Sequence, residues 1–323
     1  MKFMQFLWLL IGLSFTGASL AEDAAWPQQR PIRMLVGMPA GYSPDIVTRQ
    51  LADELSKELR QTIVVDNKPG GGGALMMRAL RAAPADGYTI ASVFWNQMSV
   101  APSLFKQLGY DPVEDFTHVG IWMDGAQILV AHPASGIGSV AQLVAKARAA
   151  NPPLLYASMG VSAPSHLLAS LMLEGGAFTM EHVPFSGQKA VQAVATGEVP
   201  VAMMGVADAL PLVRAGRLVP LAVTGSRRVP ALPEVPTLVQ AGIPGVTHKV
   251  WAGLLAPLGT PAEVITRLNQ AMVKVAANPQ FRARMEEVGR NVDVASPAQM
   301  RDTVREEIPF WREVVRRAGI NAE

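Results

Sequence analysis

The sequence predicts an α/β fold, and two observations carry that prediction. Short β-branched runs alternate with helix-period segments along most of the chain. Such alternation gives parallel strands joined by right-handed crossovers. The 323 residues, half of them hydrophobic and 17% charged, leave room for two ordinary domains or one large one with a sizeable core.

The chain opens MKFMQFLWLLIGLSFTGASLAEDAAW. Lys2 precedes the apolar segment 3–20, and Ser19-Leu20-Ala21 is a small-x-small exit. Residues 1–21 therefore read as a secretory signal peptide. The competing reading is an uncleaved anchor, because the apolar segment is just long enough to span a bilayer. Removing the segment takes one of the 28 basic residues and none of the 26 acids, leaving 27 − 26 = +1. So small a charge, with the Lys and Arg scattered, gives no sign of a nucleic-acid surface. The absence of cysteine excludes disulfides, thiolate metal sites, cysteine nucleophiles and a lipoprotein anchor. A free periplasmic protein fits these features.

The elements follow in order. IRMLV precedes a helical pattern through Ile46, Val47, Leu51, Leu55 and Leu59. TIVV leads into a glycine-rich turn and ALMMRALRA, and YTIASVFW follows the turn ADG. AQILVAH precedes SVAQLVAKARAA, LLYAS precedes HLLASLMLE, and MEHVPF precedes AVQAVAT. VPVAMM precedes ALPLVRAG, and LVPLAVT follows. The tail is helical. Thr260-Pro261-Ala262-Glu263 reads as a capping box before Val264, Leu268, Met272 and Val275. Ser296-Pro297-Ala298-Gln299 repeats the device before Met300, Val304, Ile308 and Trp311. Two proline-rich stretches, LGYDPVEDF (108–116) and RRVPALPEVPTLVQAGIPG (227–245), read as connections where a two-lobed chain crosses between lobes.

Two strand-to-helix turns share one composition. GMPAGYSPD (37–45) holds Ser43 at a natural N-cap position, Pro44 at the first helical position, and Gly41 to turn amides outward. MGVSAPSH (159–166) again gives Gly, Ser and Pro before a helix. Ligands of open parallel sheets bind beyond the carboxyl ends of the strands, and helix starts favour anions. The pair reads as a pincer for an anion. An ordinary capped turn is the alternative for either loop taken alone.

The chain resembles the Bug/TctC family of extracytoplasmic solute receptors of tripartite tricarboxylate transporters. The resemblance runs from about Trp26 to the end. It rests on PIRMLVGMPAGYSPDIVTRQLADEL, VVDNKPGGGG, ADGYTI, YDPVEDFTHVG, VPFSG, LAVTGSRRVPALPEVPTLVQAGIPG and WAGLLAPLGTPAEVITRLN. It implies a two-lobed, type II-like periplasmic binding protein, each lobe a mostly parallel sheet flanked by helices, with the ligand cleft between lobes. One lobe would take 27–125 plus 249–323, the other 126–248. It implies a carboxylate held by the loops 40–45 and 158–163. The chain departs from the family pattern at Tyr42 and Pro44, at Gly205 and Val206, and at Gln188 and Lys189.

The candidate ligand set is then Ala40, Gly41, Tyr42, Ser43 and Asp45 in the first loop, with Trp95 and Asn96 at the end of YTIASVFW. Ser158, Gly160, Val161, Ser162, Ala163 and His166 supply the second loop, with Lys189, Gly205 and Asp208 beyond it. Backbone amides should carry most of the anion recognition. Lys189 is a candidate for a second carboxylate. Tyr42, Phe94 and Trp95 would favour an aromatic or semi-apolar acid over citrate. The histidines show no metal spacing, so neither metal nor cofactor is expected. Ser186–Lys189 and Ser103–Lys106 match Ser-x-x-Lys, but no Ser-Asp-Asn, Lys-Thr-Gly or Gly-x-Ser-x-Gly accompanies them. A hydrolase is therefore a remote alternative. GGGG lacks dinucleotide spacing. The expected partners are a small organic acid and the membrane subunits of a transporter, or else a sensor protein. The receptor is expected to be a monomer.

Overall fold

The computed structural model describes residues 25–161 and 163–320. The signal-peptide reading of residues 1–21, and Ser162 of the candidate set, lie outside the described residues.

The chain runs β1 (Ile32–Val36), α1 (Ser43–Leu59), β2 (Ile63–Asn67), α2 (Ala74–Arg81), β3 (Thr89–Phe94), α3 (Ala101–Leu104), β4 (Phe116–Gly125) and β5 (Gln127–Ala131). It continues α4 (Val140–Ala149), β6 (Leu155–Ser158), α5 (Pro164–Gly176), β7 (Glu181–Pro184), α6 (Lys189–Ala195), β8 (Val201–Gly205), α7 (Val206–Arg214) and β9 (Val219–Val223). Last come β10 (Val250–Pro257), α8 (Ala262–Ala277), α9 (Pro279–Glu287), β11 (Arg290–Asn291) and α10 (Pro297–Arg317). Among the described residues no helix is long and apolar enough to cross a membrane.

Two sheets result, one ordered β11-β4-β10-β3-β1-β2 and one β7-β6-β8-β5-β9. The strand-helix alternation predicts parallel pairing, and β1 does pair parallel with β2 and β3, as β6 does with β7 and β8. The sheets are nevertheless mixed, which corrects the expectation of mostly parallel ones. Strand β10 runs antiparallel to β3 and β4, β11 antiparallel to β4, and β5 antiparallel to β8 and β9. The reversed strands sit where the chain passes from one sheet to the other: β5 starts one residue beyond β4, and β10 returns after β9.

That passage also corrects one connection. Residues 227–245 do lie between the last strand of one sheet and the returning β10, but 108–115 precede β4 and Phe116 opens it, so this stretch leads into a strand of the first sheet. Strands β4 and β10 escape a reading based on β-branched runs because they are punctuated by Gly120, Gly125 and Gly253. In the tail, Ser296 and Gln299 form the expected capping box, whereas Thr260 gives its hydroxyl to the Pro257 carbonyl at 2.8 Å and Pro261 holds the cap position of α8. Val264, Leu268, Met272 and Val275 share the buried face of α8.

The strand ends determine where the site lies. Met38 follows β1, Phe94 ends β3 with Trp95 and Asn96 just beyond it, Met159 follows β6, and Gly205 ends β8, and all of them line one cavity between the two sheets. Ligands of open α/β sheets bind in this position, beyond the carboxyl ends of parallel strands.

Candidate ligand-binding site

The cavity has a volume of about 240 Å³, on the scale of a small molecule. Its walls are largely apolar: Met38, Tyr42, Phe94, Trp95, Met123, Met159, Val250 and Trp251. Trp95 is almost fully buried, with its other face against Trp311 at 4.7 Å between ring centroids, so it is both core and cavity wall. Tyr42 is 49% exposed and reaches across the cleft. A Cβ placed on Gly187, which follows β7, would lie 3.6 Å from its Cε1.

Three helix starts border the cavity. Ser43 and Pro44 open α1, Pro164 and Ser165 open α5, and Gly205 and Asp208 stand at the start of α7. The N-cap of α1 is Tyr42, not Ser43, and it makes no side-chain cap bond. The reason is Asp45, whose Oδ2 accepts the Gly41 amide at 2.8 Å and the Arg49 Nε at 3.0 Å, while Oδ1 accepts Asn67 Nδ2 at 2.8 Å. Asp45 is 1% exposed. Burial pulls its carboxyl upward, but the Arg49, Gly41 and Asn67 contacts outweigh burial and leave it below its ordinary value. Asp45 therefore shapes the loop from beneath. Ala40 and Gly41 are exposed at the loop tip and do not line the cavity. Gly41 has φ +81°, a conformation that favours glycine.

The second loop is held by neutral groups. Ser158 Oγ meets His182 Nε2 at 2.6 Å and donates to the Gly160 carbonyl at 3.1 Å. The Met159 amide donates to Ser165 Oγ at 2.9 Å. The rings of His166 and His182 stack at 3.7 Å, and Tyr156 Oη meets His166 Nδ1 at 3.0 Å. Burial, reinforced by His182, pushes the His166 pKa down to about 4. Ser158, Gly160, Ala163 and His166 thus build the loop rather than the cavity wall, and Val161 is exposed on its outside. Lys189 is exposed at the first residue of α6 and does not line the cavity, while its neighbour Gln188 does.

Of the candidate set, the structure brings Tyr42, Ser43, Trp95, Asn96, Gly205 and Asp208 together around the cavity. Sequence reading missed Ser165, Gln188, Trp251 and, above all, Arg290. Arg290 belongs to β11, a strand of two residues, and is paired opposite Gly125. A Cβ on Gly125 would lie 2.7 Å from Arg290 Nη1, so the bare glycine makes the room the guanidinium occupies. No motif or periodicity marks Arg290. Only a pairing with a strand far away in the sequence brings it to the cleft.

Two mixed sheets flanked by helices, joined by two chain crossings and opposed across an apolar cavity bordered by helix starts, define a two-lobed periplasmic binding protein fold. The chain belongs to the tripartite tricarboxylate transporter family receptors, whose family model matches residues 47–320. It is 30% identical to the protein BugT of Bordetella pertussis, over 98% of each chain. The solved structure of R. palustris Rpa4515 with adipate is 30% identical, matches 92% of this chain and 100% of that one, and superposes with a TM-score of 0.83. MatC of Rhodopseudomonas palustris with bound malate is 29% identical, matches 88% of this chain and 99% of that one, with a TM-score of 0.76.

Proposed function

We propose that this chain is a periplasmic receptor that captures one small organic carboxylate in the cleft and delivers it, chemically unchanged, to the membrane subunits of a tripartite transporter. The observation that carries the reading is the convergence of the α1 and α5 starts, one from each sheet, on a single cavity. Among the described residues, the Ser43 and Asp45 amides at the start of α1 have no protein acceptor. Unused amides at a helix start, with a second helix start facing them, favour a bound anion. The relatives seen with adipate and malate support a carboxylate. Chain 27–125 with 249–323 would form one lobe and 126–248 the other, with Tyr42 already lying against the loop at Gly187.

A thermal-shift screen of carboxylates, with mass spectrometry of the recovered ligand, tests the reading. A ligand that binds only the folded protein at 100 times its Kd adds about 2.7 kcal/mol of stability. The expected result is stabilisation by a carboxylate that returns with its mass unaltered. Conversion of the ligand, or stabilisation by no carboxylate at all, would contradict it.

A further inference from the structure

Arg290 has an unmet requirement. Its residue is 9% exposed, its Nε is buried and finds no acceptor, and Nη2 makes one long contact with Ser43 Oγ at 3.4 Å. Among the described residues no carboxylate pairs with it. A buried guanidinium without a counter-charge is expensive, and burial lowers the pKa of this one, with Asp208 opposing. The same cavity exposes the opposite requirement. Asp208, in the first turn of α7, accepts Gln188 Nε2 at 2.7 Å through Oδ1. Its Oδ2 receives no donor among the described residues and lies where a Cβ on Gly205 would come within 2.7 Å. One unpaired cation and one half-used carboxylate thus border a single apolar cavity without pairing directly with each other.

Building on the receptor reading, we propose that Arg290 anchors the ligand's carboxylate and that Asp208 reads a hydrogen-bond donor, a hydroxyl or ammonium, on the same molecule. The cleft is then selective for donor-bearing monocarboxylates and rejects dicarboxylates. A guanidinium beside helix starts offers a carboxylate two parallel N–H donors, whereas a second carboxylate would meet Asp208 and be repelled. The apolar wall from Phe94, Trp95 and Trp251 suits the apolar body of such a molecule. Lys189, the cation that sequence reading put forward for a second carboxylate, is outside the cavity.

The test is calorimetry on the full mature protein with two matched series. One is hexanoate, 6-hydroxyhexanoate and adipate; the other is benzoate, 4-hydroxybenzoate and terephthalate. In at least one series the hydroxy acid should bind tightest and the dicarboxylate at least tenfold more weakly. Asp208→Asn should narrow that gap by improving the dicarboxylate. Arg290→Met should weaken the hydroxy acid at least tenfold while raising the melting temperature of the ligand-free protein, because an unpaired buried charge is gone. Arg290→Lys should bind between the two, which separates loss of charge from loss of fold. Dicarboxylate binding that equals or exceeds the hydroxy acid in both series, or hydroxy-acid binding unchanged by Arg290→Met, overturns the inference and leaves the receptor reading standing. Failure of every carboxylate to bind folded wild-type protein overturns both.

Discussion

The two loops that face each other across the cleft do the same geometric job with different chemistry. The first is held by a charge: Asp45, buried, gathers the Gly41 amide, Arg49 and Asn67. The second is held by neutral groups: Ser158, His182, His166 and Tyr156 stacked and hydrogen-bonded beneath it. Both bring a helix start to the cavity. A buried carboxylate and an aromatic stack can each hold such a start in place. The difference shows in what breaks each loop, and the buried cation Arg290 belongs to neither.

The largest expected effect is on the charged loop. Asp45→Ala removes three hydrogen bonds to a buried carboxylate and should cost about 2–3 kcal/mol in urea unfolding. It should also weaken carboxylate binding, because Gly41 and Arg49 lose their common partner. A loss below 0.5 kcal/mol would show that the backbone holds the loop unaided. The sign of the acid dependence follows from the lowered carboxyl. Its stabilisation is present above the unfolded value of 3.8 and is lost as pH falls through the lower folded value.

The neutral loop should fail first on acidification. The His166 pKa is depressed from 6.5 to about 4, so the unfolded chain takes up a proton that the folded chain refuses. Its contribution is complete above about pH 6.5 and falls away as pH drops toward 4. Between pH 7 and pH 5 that amounts to about 2 kcal/mol. His166→Gln should reduce the pH 7-to-5 loss of unfolding free energy by a similar amount. His118, on the other sheet and likewise pushed down to about 4 by burial, keeps its own share in both proteins. An identical pH profile for wild type and variant would place the acid sensitivity elsewhere.

A smaller change tests the cation without touching it. Gly125→Ala puts a methyl 2.7 Å from Arg290 Nη1. The guanidinium must move, and carboxylate affinity should drop about tenfold, or about 1.4 kcal/mol, with the fold retained. Unchanged affinity by calorimetry would mean that Arg290 has room to adapt. Lys189→Met should do least, changing affinity for mono- and dicarboxylates by less than twofold, because the side chain is exposed outside the cavity. A selective loss of dicarboxylate binding would return Lys189 to the site.

How far the sequence could be read depended on the range of the interaction involved. Local signals worked: IRMLV, YTIASVFW, LLYAS and VPVAMM are strands, and their carboxyl ends meet at the cavity as parallel-strand topology requires. Tyr42, Trp95, Asn96 and Asp208 reach the cavity for that reason. Signals that compete with a neighbour misled, as when Ser43 yields the loop to Asp45 and Thr260 spends its hydroxyl on Pro257. What depended on distant pairing was invisible. The antiparallel β10 and β4, and the placing of Arg290 against Gly125, are properties of the sheet and leave no periodic mark in the chain. The composition of the second loop suggested a pincer, but not that His166 and His182 would stack beneath it.

Native mass spectrometry of protein taken directly from a periplasmic extract tests the central claim, that one small carboxylate sits between the two loops on Arg290. Wild-type protein should carry a single retained molecule, and its fragmentation should show one carboxylate and a hydroxyl or amino group. Protein with Arg290→Met, prepared alongside, should emerge empty. A retained molecule without a carboxylate, or the same carboxylate held as fully by the Arg290→Met protein, would contradict the account.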